Sequence, residues 1–167
     1  MALSPTPDRL RHMTAVYLCQ NGRVLLLFRQ GGRVVNNVWV GSAGGHFEPE
    51  ELNDPRACVL RELQEELKLT EADLDSLKLR YIVLRSANGE VRQNYFFFAD
   101  LKAGAEEGLV SAEGQLGWFS PEELSALPMP PSARQAIDHW LAEGRHTGLL
   151  YGGISRADSA TFHPMDE

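Results

Sequence analysis

The sequence predicts an α/β fold with a mixed β-sheet between helices, on three observations. Apolar runs of strand length occur both before and after one long helical stretch that starts at Asp54-Pro55. Asn21-Gly22 and Asn88-Gly89 each separate two such runs, and Asn-Gly suits a two-residue hairpin because both positions take positive φ. A second helical stretch, Ala133–Glu143, follows the last strand-like run. The length of 167 residues suits one domain. We divide the chain into an N-terminal arm (1–12), a domain (13–147) and a C-terminal extension (148–167).

In order, Met1–Arg11 reads as a loose arm. Thr14–Gln20 and Arg23–Arg29 read as hairpin strands, Gln30–Arg33 as a loop, and Val38–Val40 as a short strand leading to a Gly44-Gly45 turn. Asp54 suits an N-cap and Pro55 the first helical position, where a missing N–H is harmless. Leu60, Leu63 and Leu67 form its expected apolar stripe. After a polar connection, Thr70–Ser76, come strands Leu79–Arg85 and Val91–Leu101, an acidic loop Lys102–Gly108, and a strand Gln115–Phe119. Ser120-Pro121-Glu122-Glu123 starts a short helix. Ser132 is the expected cap of the last helix, with Ile137, Trp140 and Leu141 inward. Leu149–Tyr151 is expected to pack and the last ten or so residues to be mobile.

The chemistry concentrates in the long helix. Glu62, Glu65 and Glu66 fall at i, i+3, i+4, so three carboxylates share one side, a spacing that destabilises a bare helix by about 0.2–0.5 kcal/mol per pair. A hard divalent cation reverses that effect, because Mg²⁺ prefers carboxylate and phosphate oxygens. A solvated acidic face is the competing reading, and for Arg61–Leu67 alone it is the better one. The preceding segment changes the balance: Gly44-Gly45, then Glu48 and Glu51, a short loop before the helix.

With these residues the chain resembles the Nudix hydrolase family, whose box reads Gly, five residues, Glu, seven residues, Arg-Glu-apolar-x-Glu-Glu-x-Gly-apolar. Here the pattern is Gly45, Glu51 and Arg61-Glu62-Leu63-Gln64-Glu65-Glu66-Leu67-Lys68-Leu69. Nine residues separate Glu51 from Arg61, placing a longer loop at Leu52–Asp54, and Lys68 stands where the family has Gly. The resemblance implies an α/β/α sandwich and Mg²⁺- or Mn²⁺-dependent hydrolysis of a diphosphate linkage. In such a reaction the metal polarises a phosphoryl oxygen and lowers the pKa of bound water. It also implies metal ligands Glu62, Glu65 and Glu66, the Gly44 carbonyl, and a late-loop acid for which Glu113 is the match. Either Glu113 or a helix carboxylate is the general base. Arg61 is read as a brace on the loop through Glu51.

Substrate contacts are sought in Arg29 and Arg33, which flank Gly31-Gly32 and suit bidentate phosphate binding, although solvated charge explains them as well. Glu48 is either a ligand or a turn residue. His46 is read as a loop side chain, not a metal ligand. Asn94 suits a purine edge. Trp39, Tyr95, Phe97 and Trp118 suit a stacking wall, though strand aromatics more often belong to the core. The branch of the family that clears oxidised purine nucleotides is similar in Arg61–Leu67, Glu113–Gln115 and Pro130-Pro131, but Ala133 occupies the place of its base-reading Asn. ADP-ribose or nucleotide-sugar cleavage therefore stands as an alternative. So does a catalytically silent ligand-binding module, which the three intact carboxylates disfavour. Prenyl diphosphate isomerisation needs a catalytic Cys, and Cys19 lacks the sequence context.

Net charge is −7, which disfavours duplex nucleic acid and anionic membranes as partners but not a small anionic substrate met by a metal. The expected partner is a small nucleotide, in a monomer or homodimer. Cys19 and Cys58, the only cysteines, exclude a Cys-rich zinc site and read as free thiols. With no apolar core after a basic N-terminus and no run near 20 apolar residues, we expect a cytoplasmic protein.

Overall fold

The structure is a computed structural model that describes residues 9–30 and 37–166. Strands β1 (Arg9–Gln20) and β2 (Arg23–Arg29) are joined by Asn21-Gly22, at φ 51° and 74°. Then come β3 (Val38–Gly41), β4 (Ala43–His46), helix α1 (Pro55–Leu67), β5 (Leu74–Ala87), β6 (Glu90–Leu101) and β7 (Gly114–Phe119). The chain finishes with α2 (Pro121–Leu124), α3 (Pro131–Ala142), β8 (Tyr151–Ser155) and β9 (Ala160–Pro164). Asn88-Gly89 makes the β5–β6 turn with φ 53° and 74°, as its sequence required.

The sheet runs β3-β2-β1-β6-β5-β8-β9, with β4 also on β1 and β7 also on β2. The β1–β6 and β5–β8 pairs are parallel and the others antiparallel, so the sheet is mixed. One core lies between the sheet and α2–α3, built from Tyr17, Leu26, Phe96, Phe98, Ile137 and Trp140 among others. The other lies under α1, where Val59, Leu63 and Leu67 meet Val16, Leu18, Leu25 and Phe97. Alternation along β1 and β6 sends successive side chains to opposite cores.

Several expectations are corrected. The apolar stripe of α1 runs through Val59 rather than Leu60, which is only partly buried. α3 starts at Pro131 with Pro130 as cap, and the Ser132 hydroxyl instead donates to Ser155 Oγ at 3.1 Å. Arg9–His12 belongs to β1, paired with Glu90–Gln93, rather than to a loose arm. β4 forms where a turn was expected. The tail is a hairpin on the sheet: β8 lies along β5 and β9 along β8, with Tyr151 buried. Its glycines and short strands hide it in the sequence, because the pairing that forms it is long-range.

The fork in the sheet positions the site. One edge of β1 pairs with β2 over Leu18–Gln20 and with β4 over Met13–Val16. Ser42, fully buried at the divide, accepts from Leu18 N at 3.0 Å and donates to Leu25 O at 2.5 Å. That hydroxyl bridges the backbone of the Leu18–Leu25 pair where the ladder divides.

Candidate active site

Asp54 caps α1 by accepting from Ala57 N at 2.9 Å, and a single 3₁₀ turn, Pro49–Glu51, leads into the longer loop Leu52–Asp54. Arg61 anchors that loop as expected. Its Nε donates to Glu51 Oε1 at 2.6 Å, and its Nη2 to Glu51 Oε2 at 3.1 Å and to the His46 carbonyl at 3.0 Å. This guanidinium holds the Glu51 carboxyl down at about 2. At the other end of α1, Lys68 takes the left-handed conformation, φ 59°, and its N–H reaches back to Gln64 O and Leu63 O. The helix therefore ends as a Gly-containing box would end it, with a Lys in the strained position.

The three helix carboxylates are placed differently. Glu62 is buried, presses against Gly45 and accepts from Arg61 Nη1 at 3.0 Å. A Cβ at Gly45 would collide with its carboxylate, and a Cβ at Gly44 with the Thr14 carbonyl. Glu66 accepts from Gly44 N at 3.2 Å. Glu65 is more exposed and meets Arg61 at 3.2 Å. Burial raises the Glu62 carboxyl. Burial also raises Glu66, to about 7, against the Gly44 hydrogen bond and with the charges of Glu62 and Glu113 adding to the rise. Glu113, from the loop before β7, meets Arg29 at 3.6 Å, so sequence-distant Glu113 and Arg29 both reach the surroundings of Glu66. Among the described residues, no group of three acidic, His or Cys side chains forms a ready cage for a metal. The carboxylates fan out, toward Gly45, Arg61 and Gly44.

Beside Glu66 a cavity of about 260 Å³ opens on the α3 face of the sheet. Arg29 and Asn94 line it, as do Gly44 and Gly45. Ala133, the residue in the place of a base-reading Asn, lines it too, next to Pro130 and Pro131. Arg33 lies outside the described residues. The expected stacking wall is not there. Phe97 is buried in the α1-side core, with Trp118 and Tyr95 against that core, and Trp39 packs edge-on to Phe119 at 4.7 Å. Parity along the strands sends Phe97, Tyr95 and Trp118 to the opposite face, while Trp39, on the cavity's side of the sheet, packs against Phe28 and Phe119; the cavity's aromatic lining is Tyr17 and Phe96. Glu48 is exposed and outside the cavity lining; its N–H donates to Glu51 Oε2 at 2.9 Å. Sequence reasoning missed Arg85 and Arg92 in the lining, which nothing local distinguishes from other strand arginines.

Cys19 is no candidate nucleophile. Burial pushes its thiol up to about 12, its Sγ faces the Tyr17 carbonyl, and it is absent from the cavity lining.

Residues 9–140 match the NUDIX domain. The chain belongs to the Nudix family. It is accordingly a Nudix hydrolase, acting on phosphorus-containing acid anhydrides, and its layered mixed sheet is the α/β/α sandwich of that family. Hydrolases of this family generally use divalent metal ions. Among solved structures, the MutT protein of Bacillus halodurans is similar at 22% identity and TM-score 0.70, covering 91% of this chain and 97% of its own. A MutT Nudix hydrolase from Burkholderia pseudomallei is 25% identical at TM-score 0.61, covering 77% and 96%. The dihydroneopterin triphosphate pyrophosphohydrolase of E. coli is 20% identical at TM-score 0.60, covering 80% and 90%. No curated protein matches the chain. No described helix is long and apolar enough to cross a membrane.

Proposed function

We propose that this Nudix hydrolase cleaves the diphosphate linkage of a nucleoside triphosphate or nucleoside diphosphate derivative with Mg²⁺. The observation that carries the reading is the half-buried Glu66 carboxylate, hydrogen-bonded to Gly44 N at the wall of a cavity of about 260 Å³. Two carboxylates, the buried Glu62 and the half-buried Glu66, supply hard oxygen donors beside the cavity, a donor set that fits a hard divalent ion. Glu62, Glu65, Glu66 and Glu113, with the Gly44 carbonyl, are the ligands we assign. Bound there, the ion neutralises diphosphate charge and acidifies water.

The chain's own residues do the rest. Arg29, on the cavity wall and close to Glu113, is placed to hold a phosphate oxygen. Arg61 keeps Glu51, the His46 carbonyl and α1 in one rigid unit, so the carboxylates are held in place. Asn94 faces the cavity, where an amide can read a ring edge. Glu113 or a helix carboxylate accepts the proton of the attacking water.

Release of nucleoside monophosphate, or of inorganic phosphate, from nucleoside triphosphates, ADP-ribose and nucleotide sugars tests the reading. We expect turnover that chelation abolishes and that Glu65→Gln or Glu66→Gln lowers by about 10²–10⁴. Full activity in the double variant refutes the site. One observation favours the second reading, ADP-ribose or a nucleotide sugar: Ala133 presents no hydrogen-bonding group to the cavity. Tight binding without turnover of any of these compounds identifies a silent regulatory module instead.

A further inference from the structure

The end of the cavity remote from Glu66 is cationic. In the register of β1, β6 and β5, Arg11, Arg92 and Arg85 form one cross-strand row, two residues beyond the Met13–Asn94 row and four beyond Ala15–Phe96. Ala15 is level with Gly44 on β4. At ~3.3 Å per residue the arginine row stands about 13 Å along the strands from the level of Gly44. Arg85 and Arg92 both line the cavity.

This row is short of anions. Glu90 is the carboxylate it meets among the described residues, and that one side chain serves Arg9, Arg11 and Arg92 together. Arg85 has no carboxylate partner there. It is instead oriented by its bonds to the Arg156 carbonyl at 3.0 Å and Ser155 Oγ at 3.3 Å. Such crowding of guanidinium groups is unfavourable in the empty protein, in a chain whose net charge is −7. Two residues past the Gly44 level, on the side away from the arginines, Tyr17 on the cavity wall keeps its hydroxyl buried with no hydrogen-bond partner. A buried orphan hydroxyl beside a cavity is a place for a ligand atom.

Resting on the hydrolase reading above, we propose that the substrate carries a second anionic group, a phosphate or carboxylate, at the end remote from its scissile diphosphate, received by Arg85 and Arg92. The diphosphate lies by Glu66 and Arg29, the body of the molecule passes Asn94, and the far anion meets the arginine row. Recognition of both ends selects length as well as charge. A neutral nucleobase leaves the guanidinium groups unpaired.

The test uses the full chain and methylene-bridged, uncleavable forms of uridine 5′-triphosphate, its 3′-phosphorylated derivative and 5-carboxyuridine 5′-triphosphate, with calorimetric binding. The same three cleavable compounds are assayed for turnover in parallel. At least one of the doubly anionic compounds binds about tenfold or more tightly than the plain triphosphate, and which one does so separates phosphate from carboxylate. The Arg85→Gln, Arg92→Gln double variant loses that advantage while its affinity for the plain triphosphate changes less than about twofold. Its melting temperature controls for folding. Equal binding of all three compounds by the wild type, or an advantage that survives in the double variant, overturns the proposal even where turnover proceeds. An arginine-dependent advantage without turnover keeps the arginine subsite and removes the nucleoside triphosphate reading of the substrate.

Discussion

Gly44 and Gly45 are adjacent and answer to different neighbours. A Cβ at Gly44 would strike the backbone of β1, which cannot yield, whereas one at Gly45 would strike the end of the Glu62 side chain, which can. Gly44→Ala should therefore lower stability by about 1–3 kcal/mol, read as a shifted urea midpoint. Gly45→Ala should unfold nearer the wild-type midpoint yet lose more than tenfold in turnover, because Glu62 is displaced. A second residue-scale expectation concerns Glu51. Its carboxyl sits at about 2 in the fold against an ordinary 4.5, so its contribution is present above 4.5 and lost as pH falls through about 2. Glu51→Gln should destabilise by about 1–2 kcal/mol at pH 7, and the gap from wild type should close between pH 4.5 and 2. Denaturant titrations across that range measure it. The Arg61–Glu51 pair was legible in the sequence because the motif sets both partners near one loop. The Glu62–Gly45 contact was not, since it depends on how closely α1 lies against β4.

At the scale of elements, α1 was the easiest to place. Its Asp54 cap, Pro55 start and apolar spacing are local signals, and it begins at Pro55 as expected. Lys68 takes φ 59° because the chain must turn there whatever the residue. Left-handed backbone is unfavourable for a side chain with a Cβ, and glycine's unfolded-state entropy offsets part of the relief. We expect Lys68→Gly to gain about 0.5–1 kcal/mol and to raise the melting temperature by about 2–4 °C in calorimetry. The Asn-Gly hairpins were likewise legible, because the positive φ values are demanded by two consecutive residues. β4 was not: Ala43-Gly44-Gly45-His46 has no strand propensity of its own and is extended because β1 offers it an edge.

Across the whole molecule, the C-terminal hairpin completes the sheet and braces the α3 side. Tyr151 stacks on Tyr81 at 5.5 Å, and Phe162 packs on the same ring. Buried Arg80 donates to the carbonyls of Gly144 at 2.6 Å, Thr147 at 2.9 Å and Leu149 at 3.0 Å, tying the segment before β8 to β5. Ser155 on β8 meets both Ser132 at the start of α3 and Arg85 in the cavity wall. Ending the chain after Gly148 would expose the edge of β5, uncover Tyr81 and release Arg85. The truncated protein should melt well below the full chain and aggregate at micromolar concentration, which calorimetry and light scattering would record.

The sequence by itself determined the hairpins, the acidic helix with its cap, and the pattern that marks the family, since each rests on residues a few positions apart. It also held the three carboxylates on one helix face, because helical spacing alone does that. Tertiary structure decided which carboxylate is buried, that Glu113 and Arg29 come to Glu66, that Trp118 and Phe97 turn away from the cavity, and that Arg85 and Arg92 line its far end. Those facts depend on strand register and on the fork of the sheet. Register is set by pairing between segments tens of residues apart, and a shift of one residue would send each of these side chains to the opposite face.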